Sequence, residues 1–189
     1  MDKFEFFFSL LSLLLGLAMT QLAGGMASAL KLRGRIHVGW LTPLTALVIC
    51  LDIASFWPAL WGLRDKVEIE TPYILTGVAL CLGYYTAAAF AFPDDMKETG
   101  DLDAWYFASG RFAIAGTLAV SAAFFLVADI ILNGRFQGIG VWSAVWSSRG
   151  WIVYIALLST AIFARDRRIC VGALVSIVGL YPLQWFLFR

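Results

Sequence analysis

Histidine is almost missing from this sequence, with His37 alone among 189 residues. A haem b held by paired helical histidines is therefore excluded, as is an HExxH zinc site. Cysteine is scarce too. Cys50, Cys81 and Cys170 each lie inside an apolar run, and none forms a CxxC. An odd, scattered set reads as small core residues rather than a disulfide or metal framework. Only 14% of residues are charged, against about 25% in ordinary soluble domains. The net charge of +1 gives no electrostatic footprint for nucleic acid. The four lysines, Lys3, Lys31, Lys66 and Lys97, sit at ends or in loops, which leaves none for a retinal Schiff base. Walker motif, TVGYG-type filter, regular arginine ladder and paired Gly-Asp aspartates are all missing. No cofactor, metal or enzymatic constellation is expected.

Apolar residues are what the chain has in abundance. They make up 61% of it, with 15 Phe, 8 Trp and 6 Tyr, and the mean hydropathy is +0.81. Runs near 6–30, 38–63, 73–92, 112–132, 151–164 and 169–188 are candidates to span a bilayer, which takes about 20 residues per helix. The fifth is shortest and is allowed to begin earlier, near Ser143. The runs are apolar all round, unlike the weak alternation of barrel strands. The fold class is thus all-α: one polytopic transmembrane domain over residues 1–189, with six helices. Ala27-Ser28-Ala29 imitates a signal-peptide cleavage site. However, Asp2 and Glu5 precede an apolar region longer than the usual 7–15 residues, so a retained first helix is expected.

Lys and Arg set the orientation. Loops one, three and five carry eight of them (Lys31, Arg33, Arg35, Lys97, Arg111, Arg165, Arg167, Arg168), and the opposite side carries six. Loops one, three and five should face the cytoplasm and both termini should lie outside. The basic loops, His37 included, are placed to meet anionic membrane lipid. The third loop, residues 93–103, reads as a solvated acidic loop ending in a helix N-cap at Asp101 or Asp103. In the fourth loop, Trp142 and Trp146 suggest a short interfacial helix. Trp57 and Trp61 share a face near Pro58, as an aromatic belt beside a kink or as a pocket wall. Pro182 suggests a second kink or hinge.

Ionisable groups inside spans cost about 2.5–3.5 kcal/mol at the centre, so they point to function. There are three: Glu5 and Asp129 near helix ends, and Asp52 near the middle of the second helix. Thr42, Thr45, Asp52 and Ser55 fall on one helical stripe; so do Glu5, Ser9, Ser12 and Gly16. If helices one, two and four face each other, Asp52, Glu5 and Asp129, with Thr45, Ser55 and Ser12, line an acidic seam for a cation or proton. The bland alternative is that Asp52 bonds a hydroxyl as interhelical glue. Tyr84, Tyr85, Tyr154 and Tyr181 carry hydroxyls that need partners and are able to extend a polar network.

A 3+3 inverted repeat would pair Gly39-Trp40-Leu41 with Gly150-Trp151-Ile152, and Gly83-Tyr84-Tyr85 with Gly179-Leu180-Tyr181. The opening Phe4-Glu5-Phe6-Phe7-Phe8-Ser9-Leu10 is followed by Leu15-Gly16-Leu17-Ala18, then by a basic loop before Gly39-Trp40-Leu41. Phe56-Trp57 with Trp61 comes next, then Phe92-Pro93 before the acidic loop, then Asp101-Leu102 with Tyr106-Phe107 and Arg111. Over its first 110 or so residues the chain resembles a group of small, uncharacterised bacterial inner-membrane proteins. The resemblance implies a bacterial inner membrane and no activity. Lysosomal-type potassium channels share the length and span count, but Leu10 follows Phe8-Ser9 where their signature has Asp. The expected function is a small channel or transporter for a cation, proton or small solute. The alternative is a non-catalytic subunit or scaffold that packs against partner helices. Homo-oligomers are expected, because so small a channel needs several chains to enclose a path.

Overall fold

The structure, a computed structural model, describes residues 2–66, 70–133 and 149–187. The proposed interfacial helix of Trp142 and Trp146, and any start of the fifth span near Ser143, lie outside these residues. The described residues are helical, with no strand. The long helices are α1 (Lys3–Leu32), α2 (Leu41–Trp61) and α3 (Thr71–Ala91). Two single-turn helices follow, α4 (Met96–Thr99) and α5 (Leu102–Trp105). A π-turn, Tyr106–Gly110, leads into α6 (Arg111–Asn133), and then come α7 (Arg149–Phe163) and α8 (Arg167–Leu187).

Local sequence sets most of these limits. Asp2 precedes α1, and Glu5 reaches back to accept the Asp2 N–H at 3.1 Å, half of a capping box. Pro72 occupies the first turn of α3, where a missing N–H is harmless. Phe92, extended ahead of Pro93, ends that helix. Asp95 Oδ1 accepts the N–H groups of Lys97 and Glu98, and Asp101 Oδ1 accepts those of Asp103 and Ala104, starting α4 and α5.

Four stretches are long and apolar enough to cross a bilayer: Lys3–Leu32, Leu41–Trp61, Thr71–Ala91 and Leu102–Ile131. They give the chain the make-up of a membrane-embedded helical protein. The fourth begins about ten residues before the expected 112, because the acidic loop turns helical at Leu102 and the π-turn carries the helix on. The shorter apolar helix Ile152–Phe163 falls below that length, at about 1.5 Å per residue. Large apolar side chains point outward: Leu13 is 67% exposed, Leu75 64% and Phe112 63%. Side chains of this size and exposure have their matching solvent in hydrocarbon rather than in water.

Two cores fill the bundle. Leu11, Leu15, Ile49, Ile53, Cys81 and Val120 belong to a core among α1, α2, α3 and α6. A second, with Val48, Tyr106, Ile114, Leu158 and Leu174, joins α2 and α6 to the α7–α8 hairpin. Lipid tails are as apolar as leucine, so close packing and polar ties, not hydrophobic burial, must hold such helices together. Small residues allow that approach. A Cβ on Gly83 would stand 2.5 Å from Val120 Cγ2, so any larger residue there would force Val120 to shift where α3 meets α6. The residues matched as an inverted repeat sit unlike one another. Gly39 has φ +61° before α2 while Gly150 is within α7, and Gly179 lacks the close neighbour of Gly83.

Candidate functional site

Asp52 lies near the middle of α2 and is only 6% exposed. Its carboxylate is met by hydroxyls from four other helices. Tyr84 on α3 donates to Oδ2 at 2.8 Å and Ser121 on α6 donates to Oδ2 at 2.6 Å. From the hairpin, Tyr154 on α7 donates to Oδ1 at 2.7 Å and Tyr181 on α8 at 3.2 Å. A carboxylate offers about four acceptor positions, so four hydroxyls fill it. Each oxygen therefore serves one part of the bundle: Oδ2 faces the α1–α3 and α6 body, Oδ1 the hairpin. None of the ion pairs among the described residues involves Asp52.

Tyrosines apart, the buried polar residues among those described lie on α2, α5 and α6: Thr42, Thr45, Asp52, Asp103, Thr117, Ser121 and Asp129. Thr42 Oγ1 donates to the Leu102 carbonyl at 2.7 Å, and Thr117 Oγ1 to that of Ala113. Thr45, 1% exposed, has no hydrogen-bond partner for Oγ1 among the described residues. Asp129 is buried about two turns beyond Ser121 on α6. Polar groups thus recur from the α5 end of α2, past Asp52, to the far end of α6.

The expected seam of helices one, two and four does not form as drawn. Glu5 is exposed beside Arg64, 3.8 Å away, and its other oxygen caps α1. Ser12 accepts the Trp57 indole N–H at 2.8 Å, so it ties α1 to α2 rather than facing Asp52. Ser55 donates to the Asp52 main-chain oxygen at 2.7 Å, not to its carboxylate. The α1 stripe is real in spacing but points elsewhere: Ser9 is exposed and returns its hydroxyl to the Glu5 carbonyl. Of the four tyrosines singled out, Tyr84, Tyr154 and Tyr181 reach Asp52, and Tyr85 is 43% exposed. Ser121 carries no local signal beyond being a hydroxyl within a span.

A second cluster gathers at the basic end, where loops one, three and five meet. The His37 N–H donates to the Gly100 carbonyl and the Leu102 N–H to that of His37, with His37 Nδ1 3.1 Å from Asp101 Oδ1. Partial burial raises the Asp101 carboxyl, but hydrogen bonds from His37, Ala104 and Asp103 outweigh it and bring its pKa below the ordinary value. Asp103, expected in a solvated loop, is instead 5% exposed. Its Oδ1 accepts the Leu41 N–H at 3.0 Å, supplying the missing partner at the start of α2, and Arg167 reaches Oδ2 at 2.6 Å. Tyr106 donates to the Ala161 carbonyl at 2.7 Å and Arg111 to that of Ala164, fastening the π-turn and the start of α6 to the C-terminal end of α7.

A small apolar cleft of about 40 Å³ lies among α1, α2, α3 and α6, lined by Phe7, Leu11, Leu60, Gly77 and Val127, with Phe56 in its wall. The Phe56 ring centroid is 6.0 Å from that of Tyr84 and 4.6 Å from that of Phe124. Trp57 and Trp61 do not line it; Trp61 packs on Phe4 and Phe8 beneath Arg64. No group of three or more metal-type ligands occurs among the described residues. Compared with protein-family models, curated proteins and solved structures, the chain matches none.

Proposed function

We propose that this chain is a small transport protein of a bacterial inner membrane. In this reading α1, α2, α3, α6, α8 and the shorter α7 all cross, both termini lie outside, and Asp52 is the group at which a proton or cation exchanges. The observation that carries the reading is the Asp52 carboxylate, held by Tyr84, Ser121, Tyr154 and Tyr181 at the junction of the body and the hairpin. Replacing buried polar clusters by apolar residues is often neutral or stabilising, so stability alone is a weak reason to keep a carboxylate there. Intramembrane acids mark ion and proton routes. Thr42, Thr45, Thr117, Ser121 and Asp129 continue the buried polar line on α2 and α6. The route so assigned runs between α2 and α6, closed by packing in the form described, and α1 supplies none of these groups.

A second reading is favoured by the completeness of the hydroxyl shell. With four donors Asp52 needs no solute, as expected of an interhelical staple in a non-catalytic scaffold. Ion flux into liposomes, wild type against Asp52→Asn, separates the two. Loss of flux with insertion intact supports transport, and equal flux leaves the staple.

A further inference from the structure

The distances around Asp52 bear on which ion the site takes. Ser121, Tyr154 and Tyr84 stand 2.6, 2.7 and 2.8 Å from its oxygens, which is direct hydrogen-bond contact. An alkali ion between carboxylate and hydroxyls would have to push them apart, whereas a proton needs no added room. Tyr84 and Ser121 also lie 3.4 Å from each other, and either oxygen is able to donate. A hydroxyl displaced from Oδ2 thus has a neighbour within the body. Oδ1 differs, because both its donors come from the hairpin.

Resting on the transport reading, we propose that the species exchanged at Asp52 is the proton, and that its arrival at Oδ1 frees the α7–α8 hairpin from the four-helix body. The step is acid–base exchange alone. A proton from water forms an O–H bond on the carboxylate, and release breaks that bond and returns the proton to water. Protonation removes the charge that strengthens the Tyr154 and Tyr181 hydrogen bonds, and one of the two hydroxyls must turn from donor to acceptor, so the hold of Asp52 on the hairpin weakens. The hairpin stays fastened at the basic end by Tyr106–Ala161, Arg111–Ala164 and Arg167–Asp103, so it pivots there. The titratable groups facing Asp52 are the phenols of Tyr84 on α3, Tyr154 on α7 and Tyr181 on α8. α6 presents the Ser121 hydroxyl, and α1 meets α2 through Ser12 and Trp57.

The test uses the full chain in proteoliposomes carrying a pH dye, with separate arms for a pH gradient, a Na⁺ gradient and a K⁺ gradient. Proton movement that needs neither Na⁺ nor K⁺, and that falls to the level of empty liposomes in Asp52→Asn, is expected. Hydrogen exchange in nanodiscs reads the hairpin. In Asp52→Asn, and in the double variant Tyr154→Phe with Tyr181→Phe, amides of α7 and α8 should exchange about fivefold faster relative to α1 and α3, the change that one weak interhelical bond supports. The double variant keeps the carboxylate and carries this measurement alone if Asp52→Asn fails to fold. Asp52-dependent Na⁺ or K⁺ flux without proton movement overturns the proton assignment and leaves transport standing. No Asp52-dependent flux of any ion overturns the transport reading itself. Unchanged hairpin exchange overturns the release.

Discussion

Gly39 and Asp103 fit each other with no room for a side chain: a Cβ on Gly39 would lie 2.0 Å from Asp103 Oδ1. The same oxygen accepts the Leu41 N–H, so the turn at φ +61° and the cap of α2 are one feature. Gly39→Ala meets both the left-handed backbone penalty, about 1–2 kcal/mol, and this clash. A lowered Tm in detergent, by more than Gly100→Ala causes, is the expected outcome. Gly100 also has positive φ, but open space around it, so the difference isolates the contact with Asp103.

Removing Arg167 should leave the Asp103 carboxylate buried without its cation. Fully buried pairs lose about 3–5 kcal/mol when one partner goes. Arg167 is half exposed, so about 1–2 kcal/mol is expected for Arg167→Met. Asp103→Asn keeps an acceptor for Leu41, and combined with Arg167→Met it should lose little more than the single change. Additive losses in that double-mutant cycle would show that the two side chains do not act together.

Acid should undo the loop contact of Asp101. Its folded pKa lies below the unfolded value, so the contribution is fully present above the unfolded carboxylate pKa of about 4 and is lost as pH falls through the folded value. The protection of the His37 and Leu102 amides, which bond Gly100 and His37, measured against the intrinsic exchange rate at each pH, should be high near neutrality and fall in acid. In Asp101→Ala it should be low at both. A protected, pH-independent pair in the wild type would contradict this.

Hydropathy made the helices legible, and Asp52 stood out as a lone acid inside an apolar run. The buried phenols of Tyr84, Tyr154 and Tyr181 also announced a need for partners. Which helices face one another was not legible, because it turns on contacts such as Gly83 against Val120, which leave no periodic mark. Glu5 shares a stripe with Ser9 and Ser12, yet spacing fixes only a shared face and not what that face meets. Asp103 was hidden for the opposite reason. It is one of five acids in eleven residues, and only the fold separates the buried one from its neighbours.

Single cysteines at Arg33 and at Asp166, in a background with Cys50, Cys81 and Cys170 replaced by alanine, should be labelled from the same side of the membrane. Loops one and five meet at one end of the bundle through loop three. The cytoplasmic face is expected from the concentration of Lys and Arg there. Labelling from opposite faces would contradict the packing, and labelling of both from outside would reverse the orientation.

Ion flux and thermal stability measured on the same preparations of wild type, Asp52→Asn and Asp52→Leu bear most directly on Asp52 as the working group. Asparagine retains one of the two acceptor oxygens, so Tm should fall much less than in Asp52→Leu while flux collapses. Leucine removes every acceptor for Tyr84, Ser121, Tyr154 and Tyr181, so both flux and Tm should fall. Wild-type flux in Asp52→Asn, with Tm lowered only in Asp52→Leu, would contradict the transport role and leave Asp52 as a staple between helices.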